Sequence, residues 1–430
     1  MDKINVLLIG GGGREDAMAW KLSQSSKLNR LYIAPGNPGT ALHGTNIDLD
    51  TADFDAVAQR VQDLGVELVI VGPEKPLVDG IEDDLTQKGI LVFGPSKAAA
   101  QLEGSKSFAK EFMQANNIPT AGYSTYTISE FDDALSRIKA ENRYPVVLKA
   151  DGLAGGKGVF ICESEREVTE RLTQLAEDKN LKAAASTLVV EEFMEGEEAS
   201  VFVISDGNDY KVIHNAQDHK RAGEGDTGLN TGGMGAYAPA PLLTEDLLKQ
   251  IDRDITAPTI AGMKKAGYPY KGILYIGLMI TADGPKVVEY NCRFGDPECQ
   301  VILPPLKNDL LQLIYSASKR ELGQEGDIKI SDEYYCTVVL TSGGYPGDYK
   351  KGLQITGIEH VDENALVFHA GTKKENGELV TNGGRVLNIV GKGEKLQQAI
   401  DHTYTNVEKV TFENCYYRND IGKKGLTKLA

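Results

Sequence analysis

The chain has 430 residues, of which 41% are hydrophobic and 25% are charged, as in ordinary soluble globular proteins, so extensive disorder is excluded. Acidic residues outnumber basic ones by 62 to 46, and the net charge of −16 argues against broad binding to nucleic acid or to an anionic membrane. A small anionic ligand remains compatible with this balance if the few cations converge on one cleft.

The first hundred residues alternate between apolar runs, which indicate buried strands, and stretches with helical periodicity. The predicted strands are Ile4–Ile9, Arg30–Ala34, Glu67–Val71 and Leu91–Phe93, and the predicted helices between them are Glu15–Gln24, Phe54–Leu64 and Leu77–Lys88. Such alternation predicts a Rossmann-like parallel sheet with right-handed crossovers. Glycine-rich turns follow three of the strands, at the edge where open α/β sheets bind ligands.

The rest of the chain mixes strands and helices without strict alternation, which predicts α+β structure. A helix over Ser105–Asn116 and a strand over Tyr144–Ala150 are followed, near the C-terminus, by strands Tyr334–Thr341 and Gly384–Val390, a helix Glu394–Thr405 and a basic, frayed end after Asp420. We expect an N-terminal domain over residues 1–104, a central region over 105–328 and a small C-terminal α+β domain over 329–430.

Neither the N-terminus nor the cysteines indicate export. The first nine residues contain too short an apolar run for a signal peptide, and the longest apolar runs fall far short of the about 20 residues that a membrane helix needs. The five cysteines form no C-x-x-C pair, which favours reduced thiols. We therefore expect a cytoplasmic protein without membrane contact.

The first glycine cluster, Gly10–Gly13, does not match the dinucleotide-binding fingerprint, because Glu15 or Asp16 stands where its last glycine or alanine belongs. A turn with free backbone N–H groups at a helix N-terminus can still hold a phosphate. Gly12, Gly13 and Arg14 are therefore candidate phosphate ligands, and a merely tight turn is the alternative.

A second glycine-rich segment, Lys149–Val159, lies between two strands and lacks the spacing of a P-loop. Its composition is typical of a flexible hairpin tip whose backbone N–H groups close over nucleotide phosphates. The candidate ligands are Lys149, Gly155, Gly156, Lys157 and Gly158, and the alternative is a surface hairpin with solvated lysines.

An acidic strand end follows at Val189–Glu198. Backbone groups here could read a purine, and Glu198, seven residues after Glu191, could accept hydrogen bonds from both ribose hydroxyls. By spacing alone, a solvated strand end is the simpler interpretation.

The segment Val287–Arg293 has the period-2 pattern that puts Glu289, Asn291 and Arg293 on one face of a strand. Carboxylate and amide oxygens suit Mg²⁺, which proteins often hold with one or two groups plus nucleotide phosphates. Arg293 could grip a carboxylate or phosphate with two N–H groups. A buried ion-pair network is the alternative.

The cations in Asp218–Arg221 precede the glycine-rich segment Gly223–Gly235, which we interpret as a mobile lid over an anionic substrate. His219 alone is a structural histidine more often than a catalytic one.

Together these segments resemble the ATP-grasp enzymes and, within them, the phosphoribosylamine–glycine ligase family. The resemblance runs from residue 4 to about 422. Its most specific string is Arg293–Glu298 followed by Gln300, and the other matching segments are Gly10–Glu15, Ala34–Asn37, Gly72–Glu74, Leu102–Lys106, Asp218–Arg221 and Asn230–Gly235.

The resemblance implies a central ATP-grasp domain with a flexible lobe over about 120–195. It implies that ATP and glycine react to glycyl phosphate, and that 5-phosphoribosylamine then attacks to give glycinamide ribonucleotide, ADP and phosphate. It also implies a cytoplasmic monomer or weak homodimer that uses Mg²⁺ or Mn²⁺.

The same resemblance implies a role for each candidate residue. Lys106 and Lys149 contact the ATP phosphates beneath the Asp151–Gly158 loop, Glu289 and Asn291 bind the metal, and the remaining assignments fall into three sets. Adenine and ribose contacts come from Glu191, Glu192, Phe193, Met194 and Glu198, catalytic contacts from Lys220, Arg293 and Asp296, and substrate contacts from Gly12, Gly13, Arg14, Asp218, Asn230, Gly232 and Gly233.

Two positions depart from the family pattern. Asp16 stands where the family usually has histidine, so either its carboxylate points away from the proposed phosphate site or that phosphate binds elsewhere. Asn419 stands where the family often has a basic residue.

Other functions remain open at this point. The nearest is another ATP-grasp carboxylate–amine ligase or carboxylase of purine metabolism, which glycine-dependent ADP formation would distinguish. A nicotinamide-dependent oxidoreductase and a non-catalytic nucleotide sensor are the alternatives from other classes.

Overall fold

The computed structural model describes residues 3–153, 158–177 and 187–429. Its N-terminal part is a parallel sheet in the order β3-β2-β1-β4-β5. The strands are β1 (Ile4–Gly10), β2 (Leu28–Pro35), β3 (Thr45–Asn46), β4 (Leu68–Val71) and β5 (Val92–Phe93). The helices are α1 (Gly13–Leu22), α2 (Phe54–Asp63), α3 (Glu74–Asp79) and α4 (Ile81–Gln87). The predicted Rossmann-like arrangement is confirmed.

A glycine divides the helix that was predicted over Leu77–Lys88. Gly80 has a φ of 102°, a left-handed conformation that favours glycine, and it separates α3 from α4. The prediction of one continuous helix is therefore wrong, because apolar periodicity alone does not reveal a left-handed residue.

Helices α5 (Gln101–Gly104) and α6 (Lys106–Ala115) lead into a small lobe, and Ser105 caps α6 by accepting a hydrogen bond from the Phe108 N–H. Within the described residues, the lobe is an antiparallel sheet in the order β6-β9-β7-β8 with helices α7 and α8. Its elements are β6 (Tyr123–Thr127), α7 (Phe131–Glu141), β7 (Val146–Ala150), β8 (Val159–Cys162), α8 (Glu165–Glu177) and β9 (Thr187–Glu192).

The largest sheet in the described part of the chain has the order β16-β15-β10-β11-β14-β17-β21-β18. Strands β12–β13 and β19–β20 form two separate hairpins. The strands are β10 (Glu197–Asp206), β11 (Tyr210–Asp218), β12 (Arg221–Gly223), β13 (Thr227–Asn230), β14 (Gly235–Ala238), β15 (Lys271–Thr281), β16 (Gly284–Asn291), β17 (Tyr334–Thr341), β18 (Leu366–His369), β19 (Thr372–Glu375), β20 (Glu378–Thr381) and β21 (Arg385–Gly393).

The remaining helices cover this sheet or follow it. They are α9 (Glu245–Ile251), α10 (Ala257–Lys265), α11 (Cys299–Ile302), α12 (Leu310–Ser318), α13 (Leu396–Val407) and α14 (Lys423–Thr427), with a π-helical turn, Asp252–Thr256, between α9 and α10. Strand β14 pairs with β17, so the C-terminal strands extend the central sheet. The α+β prediction is confirmed.

Two local predictions are wrong. The segment Gly223–Gly235, predicted as a loop, contains most of the β12–β13 hairpin. The end of the chain after Asp420, predicted to be frayed, begins with the fully buried Ile421 and continues into α14.

In the parts of the chain that the structure describes, none of the helices combines the length and the apolar character needed to cross a bilayer.

Candidate active site

Side chains from three parts of the fold converge on Glu289, near the end of β16. Burial alone would raise the pKa of this carboxyl, but the nearby cations lower it below its usual value, so the group is ionised. These cations are Lys220, Lys149, Lys106 and Arg293. The structure thus brings together the lysines, the arginine and the carboxylate that the sequence singled out separately.

Lys149 lies on β7 of the lobe and reaches across to β16. Its Nζ is 2.9 Å from Glu191 Oε1 and donates a hydrogen bond to the Val288 carbonyl at 3.3 Å. Glu191 is 3% exposed and also pairs with Lys110, whose Nζ lies 3.1 Å from Glu191 Oε2. Burial lowers the pKa of Lys110 to about 8. Lys110 was not anticipated, since a lysine on an amphipathic helix carries no local signal of a buried ion pair.

Lys106 is the first residue of α6 and holds the start of the glycine-rich loop. Its Nζ donates to the Gly152 carbonyl at 3.1 Å. The far end of the loop is anchored by the Ala150 N–H, which donates to the Gly158 carbonyl at 2.8 Å. Gly155, Gly156 and Lys157 lie outside the described residues.

The segment after Glu191 connects β9 of the lobe with β10 of the central sheet. Glu192 is exposed and accepts a hydrogen bond from the Gly122 N–H, Phe193 is 37% exposed, and Met194 is half-buried. Glu198 is the second residue of β10, and its Oε2 is 2.5 Å from Lys220 Nζ. An exposed aromatic ring beside backbone groups, in a segment between two sheets, suits a flat heterocycle.

Arg293 is held by carboxylates from the N-terminal part of the chain. Its Nε donates to Glu74 at 3.2 Å, and its Nη2 donates to Glu103 at 2.8 Å and to Asn291 Oδ1 at 3.1 Å. Strand β16 ends at Asn291, so the prediction that Arg293 lies on the strand is wrong, because the chain begins to turn at Cys292; the contact with Asn291 still brings the two side chains together. Burial would lower the pKa of Arg293, but Glu103 and Glu74 raise it above its usual value.

Neither Glu74 nor Glu103 was predicted to be a site residue, although both belong to segments that carry the family resemblance. Glu103 is the more buried, and burial raises its pKa despite Arg293. Its Oε2 also accepts from the Cys292 N–H at 2.7 Å. The two carboxylates fix the guanidinium in the site.

The turn at Asp296 joins three segments that are far apart in sequence. Asp296 accepts from the Arg14 N–H at 3.4 Å and from Gln300 Nε2 at 2.9 Å. Arg385 Nη1 donates to the carbonyls of Asp296 and Gly232, both at 2.6 Å. Arg385 was not anticipated, because nothing in its local sequence indicates a partner so distant in the chain.

The N-terminal glycine turn, Gly10–Gly13, packs closely against Asp296 and Asn388. A Cβ on Gly13 would lie 2.6 Å from Asn388 Nδ2, so there is no room for a side chain. The Gly12 N–H donates to Glu15 Oε2 at 2.7 Å. Arg14 is buried and donates to Glu15 Oε1 at 2.6 Å and to the Phe294 carbonyl at 3.2 Å, so its side chain is turned inward.

Asp16 lies in the same helix and points toward the C-terminal region. Its Oδ2 accepts from the His369 N–H at 2.7 Å, and the side chain is 1% exposed. Burial raises the pKa of Asp16 to about 7. The first of the two alternatives for Asp16 therefore holds: the carboxylate faces His369.

Asp218 and Lys220 precede the β12–β13 hairpin and carry opposite charges close to one another. Asp218 is buried, and burial raises its pKa to about 7 although Lys220 lowers it. Burial would lower the pKa of Lys220, but Glu198 and Asp218 keep it well above its usual value. Asn230 is exposed. Gly233 has a φ of 113°, and a Cβ added at this position would clash with Pro297 Cδ.

The oxygen atoms of Glu289 and Asn291 are the candidate ligands of a divalent cation. Among the described residues, no group of three or more His, Cys, Asp or Glu side chains could hold a metal alone. Glu289 and Asn291 nevertheless offer hard oxygens beside cations that would attract phosphate. This set fits a magnesium ion whose other ligands are phosphate oxygens and water.

Three family models match the chain in order. The N domain of phosphoribosylglycinamide synthetase matches residues 4–103, its ATP-grasp (A) domain matches residues 104–299, and its C domain matches residues 335–424. These matches support a three-part organisation, and our own domain limits stay predictions.

Curated relatives and solved structures agree. The phosphoribosylamine–glycine ligases of Rhodopirellula baltica and Agrobacterium fabrum are each 47% identical to this chain, over 99% of both chains in each pair. The crystal structure of the Thermotoga maritima phosphoribosylamine–glycine ligase superposes with a TM-score of 0.82 at 34% identity, covering 97% of this chain and all of the other. The biotin carboxylase domain of a Hydrogenobacter thermophilus carboxylase, at 17% identity, 97% and 92% coverage and a TM-score of 0.73, shares the fold. This chain belongs to the phosphoribosylamine–glycine ligase family of ATP-grasp enzymes.

Proposed function

We propose that this protein joins glycine to 5-phosphoribosylamine at the expense of ATP, giving glycinamide ribonucleotide, ADP and phosphate. The observation that carries the proposal is the convergence of Lys106, Lys149, Lys220 and Arg293 on Glu289, in a chain that matches the family over its full length. Among the described residues we identify no nucleophile–base pair, and the reaction needs none.

The first step activates glycine. The bond from the γ-phosphorus to the β–γ bridging oxygen breaks, and a bond to a glycine carboxylate oxygen forms, giving ADP and glycyl phosphate. Catalysis of such a transfer is mainly alignment and stabilisation of charge. Lys106 and Lys149 lie where they can hold the phosphates, beside the anchored ends of the glycine-rich loop.

Arg293 is the proposed ligand of the glycine carboxylate. Arginine has five N–H donors, and the contacts with Glu74, Phe294, Glu103 and Asn291 leave one of them available among the described residues. Because two carboxylates already hold the guanidinium, it loses little further conformational entropy when the substrate binds.

In the second step, the amine nitrogen of phosphoribosylamine attacks the carbonyl carbon of glycyl phosphate. The carbon–nitrogen bond forms, the carbon–oxygen bond to phosphate breaks, and the nitrogen loses a proton. We place the ribose phosphate near Gly12, Gly13 and the 230–233 segment, because Arg385 and Asp296 bring these turns together. Arg14 faces inward and would support the turn through its backbone N–H.

Glu289 and Asn291 are the proposed metal ligands, for Mg²⁺ or Mn²⁺, which would neutralise charge on the ATP phosphates. For the nucleotide, we propose that Glu191 to Met194 line the adenine and that Glu198 accepts from the ribose hydroxyls. In this arrangement Lys220 would pair with Glu198 and fix the position of its carboxylate.

The decisive experiment measures ADP release with ATP, Mg²⁺ and freshly generated phosphoribosylamine, with and without glycine. We expect ADP formation to require both substrates and to match glycinamide ribonucleotide in amount. ADP formation without glycine dependence, in a protein that binds ATP, would instead indicate an ATP-grasp enzyme for another acid.

We also propose that the protein works in the cytoplasm as a monomer or weak homodimer. Sedimentation over a range of concentrations tests the second point.

A further inference from the structure

The β12–β13 hairpin is tied to the C-terminal segment 416–424 by contacts that no role assigned above explains. The Gly225 N–H donates to Asp420 Oδ2 at 2.8 Å, and Asn419 Nδ2 donates to Glu224 Oε1 at 2.7 Å. Tyr416 OH donates to the Ala222 carbonyl at 3.0 Å. We call this set of contacts, together with those of Arg418, the hairpin latch.

Arg418 is the centre of the hairpin latch and is fully buried. Its Nη1 donates to the Arg221 carbonyl and to Asp226 Oδ1, both at 2.9 Å, and its Nε and Nη2 donate to the two Asp420 oxygens, both at 2.7 Å. A buried guanidinium is tolerated only with such partners, and removing one leaves a charge uncompensated. The bidentate pair with Asp420 fixes the plane of the guanidinium.

The base of the hairpin is held in a different way. The Thr231 N–H donates to the Lys220 carbonyl at 2.8 Å, and the Met234 N–H donates to the His219 carbonyl at 2.8 Å. Lys220 therefore stays beside Glu198 without help from the latch. What the latch places is the part beyond the base, from Arg221 to Asn230, whose second strand is exposed.

We propose that Arg418 is a positioning residue for the amine substrate: it holds the hairpin in the orientation in which Asn230 faces phosphoribosylamine. This inference rests on the proposed function, and it adds a residue from the C-terminal region to those that position phosphoribosylamine. Loss of the latch weakens binding of phosphoribosylamine but leaves ATP binding unchanged, because Lys106, Lys149 and Glu289 lie on other elements.

The test uses Asp226→Asn as its main variant. Asp226 has a φ of 57°, which asparagine tolerates, so the turn is kept while the charge facing Arg418 and Lys424 is removed. The matched control is Asp362→Asn, which removes the carboxylate facing Lys409 in an ion pair elsewhere in the C-terminal region. Arg418→Lys is the second variant, since it keeps the charge but cannot span both carboxylates.

The first readout is hydrogen exchange of the backbone amides over 221–230 in the full-length protein without substrate. We expect exchange to rise at least about threefold in Asp226→Asn and more in Arg418→Lys, with no change in Asp362→Asn. This readout does not depend on the ligase reaction, so it separates failure of the latch from failure of the proposed function.

The second readout is the steady-state kinetics. We expect the KM for phosphoribosylamine to rise about fivefold in Asp226→Asn, with kcat and the KM for ATP within about twofold of the parent. Unchanged exchange over 221–230, or an equal rise in both KM values, would overturn the proposal. If Arg418→Lys does not fold, the outcome for Asp226→Asn still decides the question.

Discussion

At the residue scale, the charge of Glu289 decides what the surrounding cations can do. Lys220, Lys149 and Lys106 lie close enough to lower its pKa below the usual value, so the carboxylate is ionised at neutral pH. Lys149, Lys220 and Arg293 each pair with a further carboxylate as well, so the cations that act on Glu289 are held in place by their other partners.

Replacing Glu289 by glutamine keeps its shape and removes its charge. We expect kcat to fall at least about 100-fold and the Mg²⁺ dependence to shift to higher concentration, because a proposed metal ligand is lost. Steady-state assays over a magnesium titration measure both effects. Asp283→Asn, an exposed carboxylate on the same hairpin, is the control, and near-normal activity of Glu289→Gln would refute the metal assignment.

Asp16 predicts a pH dependence of stability. Its pKa rises from an ordinary 3.8 to about 7 on folding, through burial. Between these values the folded state binds a proton that the unfolded state has lost, so stability falls as the pH rises from about 4 to 7. The stability that the protonated carboxyl of Asp16 contributes is fully present below pH 3.8 and is lost above about pH 7.

The variant Asp16→Asn tests this, since the amide can still accept from the His369 N–H. We expect the Tm of the variant to exceed that of the parent by at least roughly 3 °C at pH 8, with a smaller gain at pH 5. Thermal melts at the two pH values measure this, with the exposed Asp48→Asn as control. An equal gain at both values would show that the carboxyl does not titrate as described.

At the element scale, Gly80 makes two short helices from one amphipathic stretch. A Cβ at this position would lie 3.2 Å from Lys97 Cδ. The residue would also have to keep the left-handed φ of 102°, which is strained for any residue with a side chain. We expect Gly80→Ala to destabilise the protein by about 1 kcal/mol, seen as a lower urea midpoint. Gly326→Ala, where nothing lies within 4 Å of the added Cβ, is the control and should change little.

Several elements were predictable because their signals are local. The buried strands of the N-terminal sheet and helix α6 follow from apolar runs, periodicity and a serine cap. The β12–β13 hairpin was not, because its glycines resemble those of a loop and a side chain that contacts it, Arg418, is distant in the sequence. Likewise, Glu289 and Asn291 could be placed on one strand, but Arg293 lies just beyond its end, and the partners Glu74 and Glu103 come from another domain.

At the scale of the whole molecule, the hydrophobic cores do not follow the domain limits. One core joins Leu7 and Ile9 of the N-terminal sheet to Leu274 and Ile276 of the central sheet. A second includes Phe368 from the C-terminal region. The lobe, in contrast, has a core made only of its own residues. Cooperative unfolding of everything except the lobe follows from this arrangement.

The fluorescence of the single tryptophan reports the unfolding of the part of the molecule outside the lobe. Trp20 packs edge-to-face on Phe368, with 5.9 Å between ring centroids, so its emission depends on contact between the N-terminal and C-terminal regions. We expect its fluorescence transition in urea to coincide with loss of most of the far-UV circular dichroism. Phe368→Leu should shift the fluorescence emission of Trp20 in the native state and leave the emission of the unfolded state unchanged. A Trp20 transition that is complete before most of the secondary structure is lost would contradict the shared cores.

The pairing of β14 with β17 has a consequence for how the chain is made. Strand β14 leaves the ribosome roughly a hundred residues before its neighbour β17, which at cellular rates of synthesis is an interval of about 5–20 s. Throughout that interval the nascent sheet has an unpaired edge, the kind of surface that recruits other chains. Faster translation, or a chaperone that covers the edge, should therefore raise the yield of folded protein.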